Sequence, residues 1–124
     1  MVEILTPDFK FEDNRGCLVQ LVHKGFRQIN VTTAKKGCIR GGHYHKKNRE
    51  AFYIVSGIVE LKLQRDEDSE MHIFHAGDMF LIPPFVQHDF VFREDTIFVS
   101  MYDLGVEFPD GTKDIYWDGG AEGK

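Results

Sequence analysis

The sequence predicts an all-β protein, a single-domain jelly-roll barrel of antiparallel strands. Three observations lead to this prediction: eight to ten short strand-like segments, turn residues between them at even spacing, and no segment with convincing helical periodicity. The 124 residues suit a single hydrophobic core, and eleven phenylalanines can fill it. We expect the barrel to occupy residues 1–118 and residues 119–124 to form a flexible C-terminal tail.

The N-terminal third of the chain supplies a short apolar start and two predicted strands. Pro7-Asp8 marks one turn, and the sequence EDNRG marks a tight turn that ends at Gly16. Residues 17–22 (CLVQLV) form a strand. In residues 26–33, Gln28, Asn30 and Thr32 share one face of the next strand, whereas Ile29 and Val31 share the other.

The remaining strands follow at short intervals. Ser56-Gly57 predicts a hairpin turn between two strands, and the sequence RDEDS predicts a polar turn after them. Pro83-Pro84 ends a later strand because proline cannot donate to a ladder. The strands predicted here are residues 51–55, 58–64, 71–76, 79–82, 88–92 and 96–102.

Composition and charge exclude several classes of function. With 15 Lys and Arg against 20 Asp and Glu, the net charge of −5 argues against a general nucleic-acid binder. No apolar run approaches the roughly 18 residues of a membrane span, and the N-terminus has no apolar signal region. Two widely spaced cysteines do not form a disulfide framework. We therefore expect a cytoplasmic protein with no nucleic-acid or membrane partner.

Three histidines and a glutamate predict a metal site. His43 and His45 point the same way if the segment is a strand, Glu50 follows five residues later, and His88 lies in the second histidine stretch. Three imidazoles and a carboxylate suit one divalent transition metal ion, namely Zn, Fe, Ni or Mn. The alternative is that the HYH sequence is only a polar strand on a wet sheet face.

Basic residues crowd this motif and suit an anionic small molecule, although they are also typical of a solvated loop: Arg40, Lys46, Lys47 and Arg49. Strict strand alternation would turn Arg40 away from His43. A bulge at Gly41-Gly42 would reset the alternation and turn Arg40 into the same pocket.

The two histidine stretches resemble the motifs of the cupin superfamily. The first motif matches without a gap at Gly37, His43, His45, Glu50 and Gly57.

The second cupin motif matches at Gly77, Pro83 and His88. Phe85 replaces its usual glycine and Phe92 its usual asparagine, which leaves the ligand position intact and alters the turn.

A narrower resemblance covers residues 11–103 and points to the sugar-modifying cupins, the nucleotide-sugar 3,5-epimerases and 3,4-ketoisomerases. It implies that Arg15 holds nucleotide phosphates, often in a neighbouring subunit's site, and that Gln28 and Asn30 line the sugar pocket. It also implies that Arg40 contacts the diphosphate or the sugar and that His43 is the proton-transfer base.

Two positions depart from the metal-free epimerases, which have a glutamine and a lysine where this chain has His45 and Glu50. The pattern is closer to the zinc-carrying C-terminal cupin of capsular-polysaccharide enzymes. The resemblance thus implies an epimerase or ketoisomerase that acts on a keto nucleotide-sugar in bacterial polysaccharide biosynthesis, and a homodimer in which residues 1–12 pair with the partner's sheet.

The assignment of the catalytic base stays open at this point. A histidine whose ring nitrogen binds metal cannot accept a proton there, so a metal-bound His43 leaves Tyr102 or Tyr53 as weak candidates. Two other functions fit the same residues: a metal-dependent dioxygenase, and a non-enzymatic cupin that binds a small molecule.

Overall fold

The computed structural model describes residues 1–117 of the chain, and these form twelve β-strands without a helix. The predicted all-β jelly roll is therefore confirmed, while the predicted tail at 119–124 lies outside the described residues. Within residues 1–117 there is no helix long and apolar enough to cross a membrane. The strands are β1 (Glu3–Leu5), β2 (Phe9–Asp13), β3 (Gly16–Gln20), β4 (Gln28–Ala34), β5 (Ile39–Tyr44), β6 (Glu50–Ser56), β7 (Ile58–Arg65), β8 (Asp68–His75), β9 (Met79–Ile82), β10 (Gln87–Phe92), β11 (Thr96–Tyr102) and β12 (Tyr116–Trp117).

Two antiparallel sheets of five strands and a separate hairpin make up the fold. The first sheet has the order β1-β9-β6-β11-β4 and the second β12-β5-β10-β7-β8, whereas β2 pairs only with β3. The chain crosses from one sheet to the other at nearly every connection after β3. This exchange brings β5, β6 and β10 close together at one end, where the candidate site lies.

Aromatic side chains fill the space between the two sheets. Phe74 and Phe80 stack with ring centroids 4.0 Å apart, and Phe52 stacks on Phe80 at 5.1 Å. Each fully buried phenylalanine contributes roughly 1.5–3 kcal/mol of hydrophobic free energy. Phe90 and Phe98 extend this stack, so the aromatic core forms one wall of the cavity described below.

The predicted hairpin at Ser56-Gly57 is wrong, because β6 and β7 belong to different sheets. Gly57 is a corner with φ of +103°, and a Cβ there would meet the Asp95 carbonyl oxygen at 2.6 Å and the Thr96 Cα at 2.7 Å. Only glycine allows this close approach of two backbones. The hairpin in this region joins β7 to β8 and has Asp66 in its turn with φ of 54°.

The N-terminal strand was expected to pair with the sheet of a second subunit, but it pairs within its own chain. Glu3–Leu5 pairs with Met79–Leu81 of the same chain, so this part of residues 1–12 has a partner strand within its own sheet. The β2–β3 hairpin has no strand partner beyond itself among the described residues.

Candidate metal and substrate site

Four side chains converge at the end of the sandwich where β5, β6 and β10 meet. His43 lies on β5 directly opposite His88 of β10, His45 follows β5, and Glu50 begins β6. One potential ligand atom from each residue lies within 4.8 Å of the others. The sequence-predicted set of metal ligands is thus brought together, although the ion itself stays a prediction.

Hydrogen bonds to main-chain carbonyls orient two of the rings. Nδ1 of His45 donates to the Asp114 carbonyl oxygen at 2.6 Å, and Nδ1 of His88 donates to that of Val86 at 3.0 Å. These bonds leave Nε2 of both rings directed at the same carboxylate oxygen of Glu50, at 3.0 Å from His45 and 3.5 Å from His88.

Burial and neighbouring charges shift the pKa values of three of these residues. Burial would raise the pKa of Glu50, but the rings of His45 and His88 outweigh it and lower this pKa to about 2. Burial acts to lower the pKa of His45, but the hydrogen bond and charge of Glu50 outweigh it and raise this pKa. Burial, with the rings of His88 and His45, lowers the pKa of His43 to about 3. At neutral pH Glu50 is therefore ionised and His43 is neutral, which are the states that bind metal.

The buried nitrogen of His88 tests whether these residues fit a metal. Its Nε2 has no hydrogen-bond partner among the described residues, although the side chain is fully buried. An unpaired buried polar atom costs about 1–3 kcal/mol, and a cation at this point would remove the cost. Imidazoles held through Nδ1 by carbonyl oxygens are also the usual arrangement around protein-bound metals. The four residues fit a divalent transition metal ion.

A bulge on β5 turns Arg40 toward the cluster, as the sequence predicted. Asp89 pairs with Gly41 while the neighbouring His88 pairs with His43, so Gly42 is the extra residue. Gly41 and Gly42 have φ of +114° and +74°, and a Cβ on Gly41 would lie 2.4 Å from the His88 carbonyl oxygen, so both positions favour glycine. Arg40 and His43 consequently line the same cavity.

This cavity has a volume of about 370 Å³ and combines three of the candidate ligands, His43, Glu50 and His88, with polar and aromatic groups. It contains four of the residues predicted for substrate or catalysis: Asn30, Arg40, His43 and Tyr102. Its wall also includes Thr32 and Ser100, together with the aromatic core and the C-terminal strand. A pocket of this size suits a small molecule such as a hexose.

Two predicted substrate residues, Gln28 and Arg15, do not line the cavity of their own chain. Oε1 of Gln28 accepts the main-chain N–H of Val106 at 2.9 Å, so this side chain supports the C-terminal segment. Arg15 lies at the tip of the β2–β3 hairpin, where its exposed guanidinium pairs with Asp13 at 2.6 Å. The implied phosphate-binding role of Arg15 thus requires the site of another subunit.

The two tyrosines considered as bases differ in position. Burial, followed by the charge of Glu50, raises the pKa of Tyr102, so its phenol stays protonated at neutral pH and is a hydrogen-bond donor rather than a base. Tyr53 lies opposite Val99 and Met79, on the outer face of the first sheet. It is therefore not placed to act in the cavity.

The turn before His88 has the left-handed backbone expected of a glycine, although the residue at this position is Phe85. Phe85 has φ of 67°, and its N–H donates to the His45 carbonyl oxygen at 2.7 Å. Its side chain is 56% exposed, so little packing depends on the phenyl ring. Phe92, at the other departure from the cupin motif, is buried in the aromatic core.

Sequence reasoning missed the C-terminal part of the site. Asp114 and Asn48 are buried and hydrogen-bonded to each other, while Ile115 and Trp117 line the cavity. The Trp117 ring lies 5.9 Å from that of His43. Asp114 is 69 residues from His45, and no periodic pattern connects the two positions.

Solved structures with the same fold include several enzymes that modify nucleotide-sugars. A 3,4-ketoisomerase from Helicobacter canadensis has a TM-score of 0.79 at 18% identity, covering 94% of this chain and 90% of that one. TDP-quinovose 3,4-ketoisomerase from Campylobacter jejuni has a TM-score of 0.75 at 16% identity, covering 91% and 92%. For dTDP-4-dehydrorhamnose 3,5-epimerase from Sulfolobus tokodaii the TM-score is 0.74 at 20% identity, covering 94% and 76%.

These likenesses confirm the predicted resemblance to the sugar-modifying cupins at the level of the fold. No curated protein sequence matches the chain. A family match covers residues 11–103, which is most of the chain and includes all four candidate ligands. The chain belongs to the polysaccharide biosynthesis C-terminal domain family.

Proposed function

We propose that this protein is a metal-binding cupin enzyme that epimerises or isomerises a keto nucleotide-sugar in polysaccharide biosynthesis. One observation carries the proposal: three of the four candidate ligands, His43, Glu50 and His88, line a cavity that also contains Arg40 and Asn30. Membership of a polysaccharide biosynthesis family supports the pathway, and the shared fold with ketoisomerases and epimerases supports the reaction class.

The shared reaction moves a proton next to a ketone. A base removes the proton from the carbon beside the carbonyl, and the electron pair passes into an enolate. In epimerisation a proton returns to the same carbon from the other face. In ketoisomerisation a proton is added to the former carbonyl carbon, while the hydroxyl group of the first carbon loses its proton and the former keto oxygen gains one. A positioned acid or base accelerates such a step about 10²–10⁴-fold. Epimerisation and ketoisomerisation therefore need the same groups and differ in where the proton returns.

The side chains in and around the cavity have different roles in this reaction. His43, His45, Glu50 and His88 would hold the ion, which when bound supplies Lewis-acid polarisation of the keto oxygen. Arg40 suits the diphosphate because a guanidinium binds phosphate oxygens in pairs. Asn30 can hydrogen-bond sugar hydroxyls, and the neutral phenol of Tyr102 can donate a hydrogen bond to the enolate.

His43 has two possible roles, and they are mutually exclusive at one nitrogen. As a ligand it leaves proton abstraction to another group, and as the base it requires a ring nitrogen free of metal. Its position beside His45 and His88 in the cluster favours the ligand role. Activity measured with and without metal distinguishes the ligand role of His43 from its role as a base.

The proposal includes a homodimer, because two apolar surfaces are left uncovered. On β4 the polar Asn30 and Thr32 face the cavity, which leaves Ile29 and Val31 exposed on the outside. The term outer apolar face is used below for the surface formed by four exposed residues of the first sheet: Ile29, Val31, Val55 and Ile97.

The β2–β3 hairpin carries the second uncovered surface. Phe11 lies directly opposite Leu18, and Phe9 is on the same face two residues earlier; all three are about half exposed. An isolated two-stranded hairpin is at best marginally stable in water. A second copy that covers this hairpin and the outer apolar face would bury both and could bring Arg15 to the partner's cavity. The protein is expected to act in the cytoplasm.

Deuterium exchange tests the proposed reaction. The protein is incubated in D₂O with TDP-4-keto-6-deoxyglucose, with added Zn²⁺ or after chelation, and the sugar protons are followed by NMR. We expect deuterium to enter at a carbon beside the ketone, because both epimerisation and ketoisomerisation pass through the enolate. Arg40→Met should weaken substrate binding, whereas Arg65→Met, at a position that does not line the cavity, should not.

An absence of exchange with any keto nucleotide-sugar, with or without metal, would contradict the proposal. Oxygen consumption by the Fe²⁺-loaded protein would instead favour the dioxygenase. Exchange that persists in full after chelation would assign His43 to the role of base.

A further inference from the structure

The C-terminal segment contains a buried carboxylate that contacts no cavity group directly but holds the turn between two candidate ligands. Asp114 is 1% exposed and lies outside the residues of the family match. Its carboxylate accepts the main-chain N–H groups of Lys46, Lys47 and Asn48 at 2.8, 3.0 and 2.8 Å. These three residues belong to the four-residue loop, 46–49, that joins His45 to Glu50, so the carboxylate fixes the conformation of the loop that sets the separation of these two ligands.

The same residue also contacts the His45 ring through its main chain. Its carbonyl oxygen accepts Nδ1–H of His45 at 2.6 Å, which fixes the tautomer and directs Nε2 at Glu50. One residue thus controls both the orientation of a candidate ligand and the turn that follows it.

Further hydrogen bonds hold Asp114 in place from the other side. Its N–H donates to the Val106 carbonyl oxygen at 2.7 Å, and Val106 is in turn bound by Gln28. Asn48 donates from Nδ2 to the Asp114 carboxylate at 2.8 Å and to the Gly105 carbonyl oxygen at 2.9 Å. Asn48 is fully buried, so this network is closed to water.

We propose that Asp114 is a positioning residue that tunes the metal affinity of the site by orienting His45 and its turn. The inference rests on the proposed metal site. Residues that orient metal ligands typically change metal affinity by roughly 10- to 100-fold when they are replaced. The C-terminal segment is then part of the metal site although it supplies none of the ligands.

The test compares Asp114→Asn with Asp110→Asn in the full chain. The carboxylate accepts four N–H groups, and the first substitution replaces one of its two acceptor oxygens by an NH₂ group, which cannot accept any of them. Asp110 is an exposed residue of the same segment whose carboxylate accepts hydrogen bonds from the main-chain N–H and the hydroxyl of Thr112, so its replacement is the matched control. Zn²⁺ affinity is measured by competition with a chromophoric chelator, and Co²⁺ is added to record its d–d spectrum.

We expect Asp114→Asn to lower Zn²⁺ affinity roughly 10- to 100-fold and to alter the Co²⁺ spectrum, with Asp110→Asn unchanged. The spectrum separates positioning from a purely structural role, because general destabilisation would lower the melting temperature of the metal-free protein without changing the coordination. Wild-type affinity and spectrum in Asp114→Asn would overturn the inference and leave the metal site standing. Failure of the wild-type protein to bind either ion would overturn both.

A milder variant covers the case in which Asp114→Asn does not fold. Gln28→Met removes the hydrogen bond that supports Val106 and a long one, 3.5 Å, from Nε2 to Oδ1 of Asn30, at a residue that does not itself line the cavity. It should lower Zn²⁺ affinity in the same direction by a smaller factor, and unchanged affinity in this folded variant would count against the inference.

Discussion

Nε2 of His88 lies 3.5 Å from Oε1 of Glu50, and both atoms are buried. Because Nδ1 of His88 donates to a carbonyl oxygen, Nε2 is the ring nitrogen that faces the carboxylate, and it has no hydrogen-bond partner among the described residues. A buried ring nitrogen without a partner is unfavourable, and a cation beside it would remove this cost. This relationship makes His88 the most informative position for testing the metal site.

Replacement of His88 by alanine should remove most of the metal affinity while the protein stays folded. The loss should be at least the roughly 10- to 100-fold that follows from disturbing a ligand's orientation, since here a ligand itself is removed. The sandwich should persist because backbone pairing on both sides of β10 is unaffected. Metal content by mass spectrometry, affinity by competition and circular dichroism measure the three quantities.

His75→Ala is the control for that experiment. His75 is exposed on β8, and its main-chain N–H donates to the carboxylate of Asp78, a bond that alanine can also make. The His75→Ala variant should bind metal as the wild type does. A wild-type protein that is purified without chelator, supplied with metal and still lacks an ion at these side chains would rule the metal site out.

Metal affinity should rise with pH, because binding expels a proton. Burial alone would lower the pKa of His45, but Glu50 raises it, so in the metal-free protein a proton is held between the two residues. Metal binding to Nε2 must displace this proton. Below the raised pKa of His45 we expect about one proton released per ion and about tenfold weaker affinity per unit of falling pH.

Calorimetry in buffers of different ionisation enthalpy measures the number of protons released. A value near zero across the range from about pH 5.5 to 8 would mean that the ion does not bind at His45. Competition titrations at the same pH values provide the independent check.

The strands and the ligand set could be predicted from the sequence because both depend on short patterns. The segment at residues 96–102 matches β11, and the histidine spacing matched a motif that requires no knowledge of distant contacts. The bulge at Gly41-Gly42 was also predicted, since two consecutive glycines allow the backbone angles that it needs.

The errors concern contacts between positions far apart in the chain. Ser56-Gly57 has the local sequence of a hairpin, yet the pairing of β6 with β11 and β9 sends the chain to the other sheet. Asp114 has no local signal, because its role depends on three N–H groups more than sixty residues away. Sequence periodicity reports which face a residue occupies, and it does not report which strand lies beside it.

Replacement of Phe85 by glycine should stabilise the protein slightly. A left-handed backbone costs a non-glycine residue about 1–2 kcal/mol, and glycine removes this cost. Glycine also increases the conformational entropy of the unfolded chain, which reduces the gain in stability by about 0.4–1 kcal/mol. The expected net gain is a few tenths to about 1 kcal/mol in the free energy of unfolding, or a few degrees in melting temperature. Chemical denaturation and thermal melts measure it.

Phe85→Ala is the matched control, because it loses the same exposed ring but keeps the φ of 67°. It should be less stable than Phe85→Gly. Equal stability of the two variants would mean that the left-handed backbone at residue 85 carries no cost.

The homodimer should be broken by a charge on the outer apolar face. Val31 is 71% exposed on β4, where a lysine could extend into water in a monomer but would bury its charge against a second copy. We expect the wild type to sediment at twice the 14.3 kDa of one chain and Val31→Lys to sediment as a monomer at micromolar concentration. Met71→Lys provides the control, because Met71 is 54% exposed on β8 of the other sheet and should leave the dimer intact. A monomeric wild type, or a Val31→Lys variant that dimerises with unchanged affinity, would show that the second copy does not cover this face.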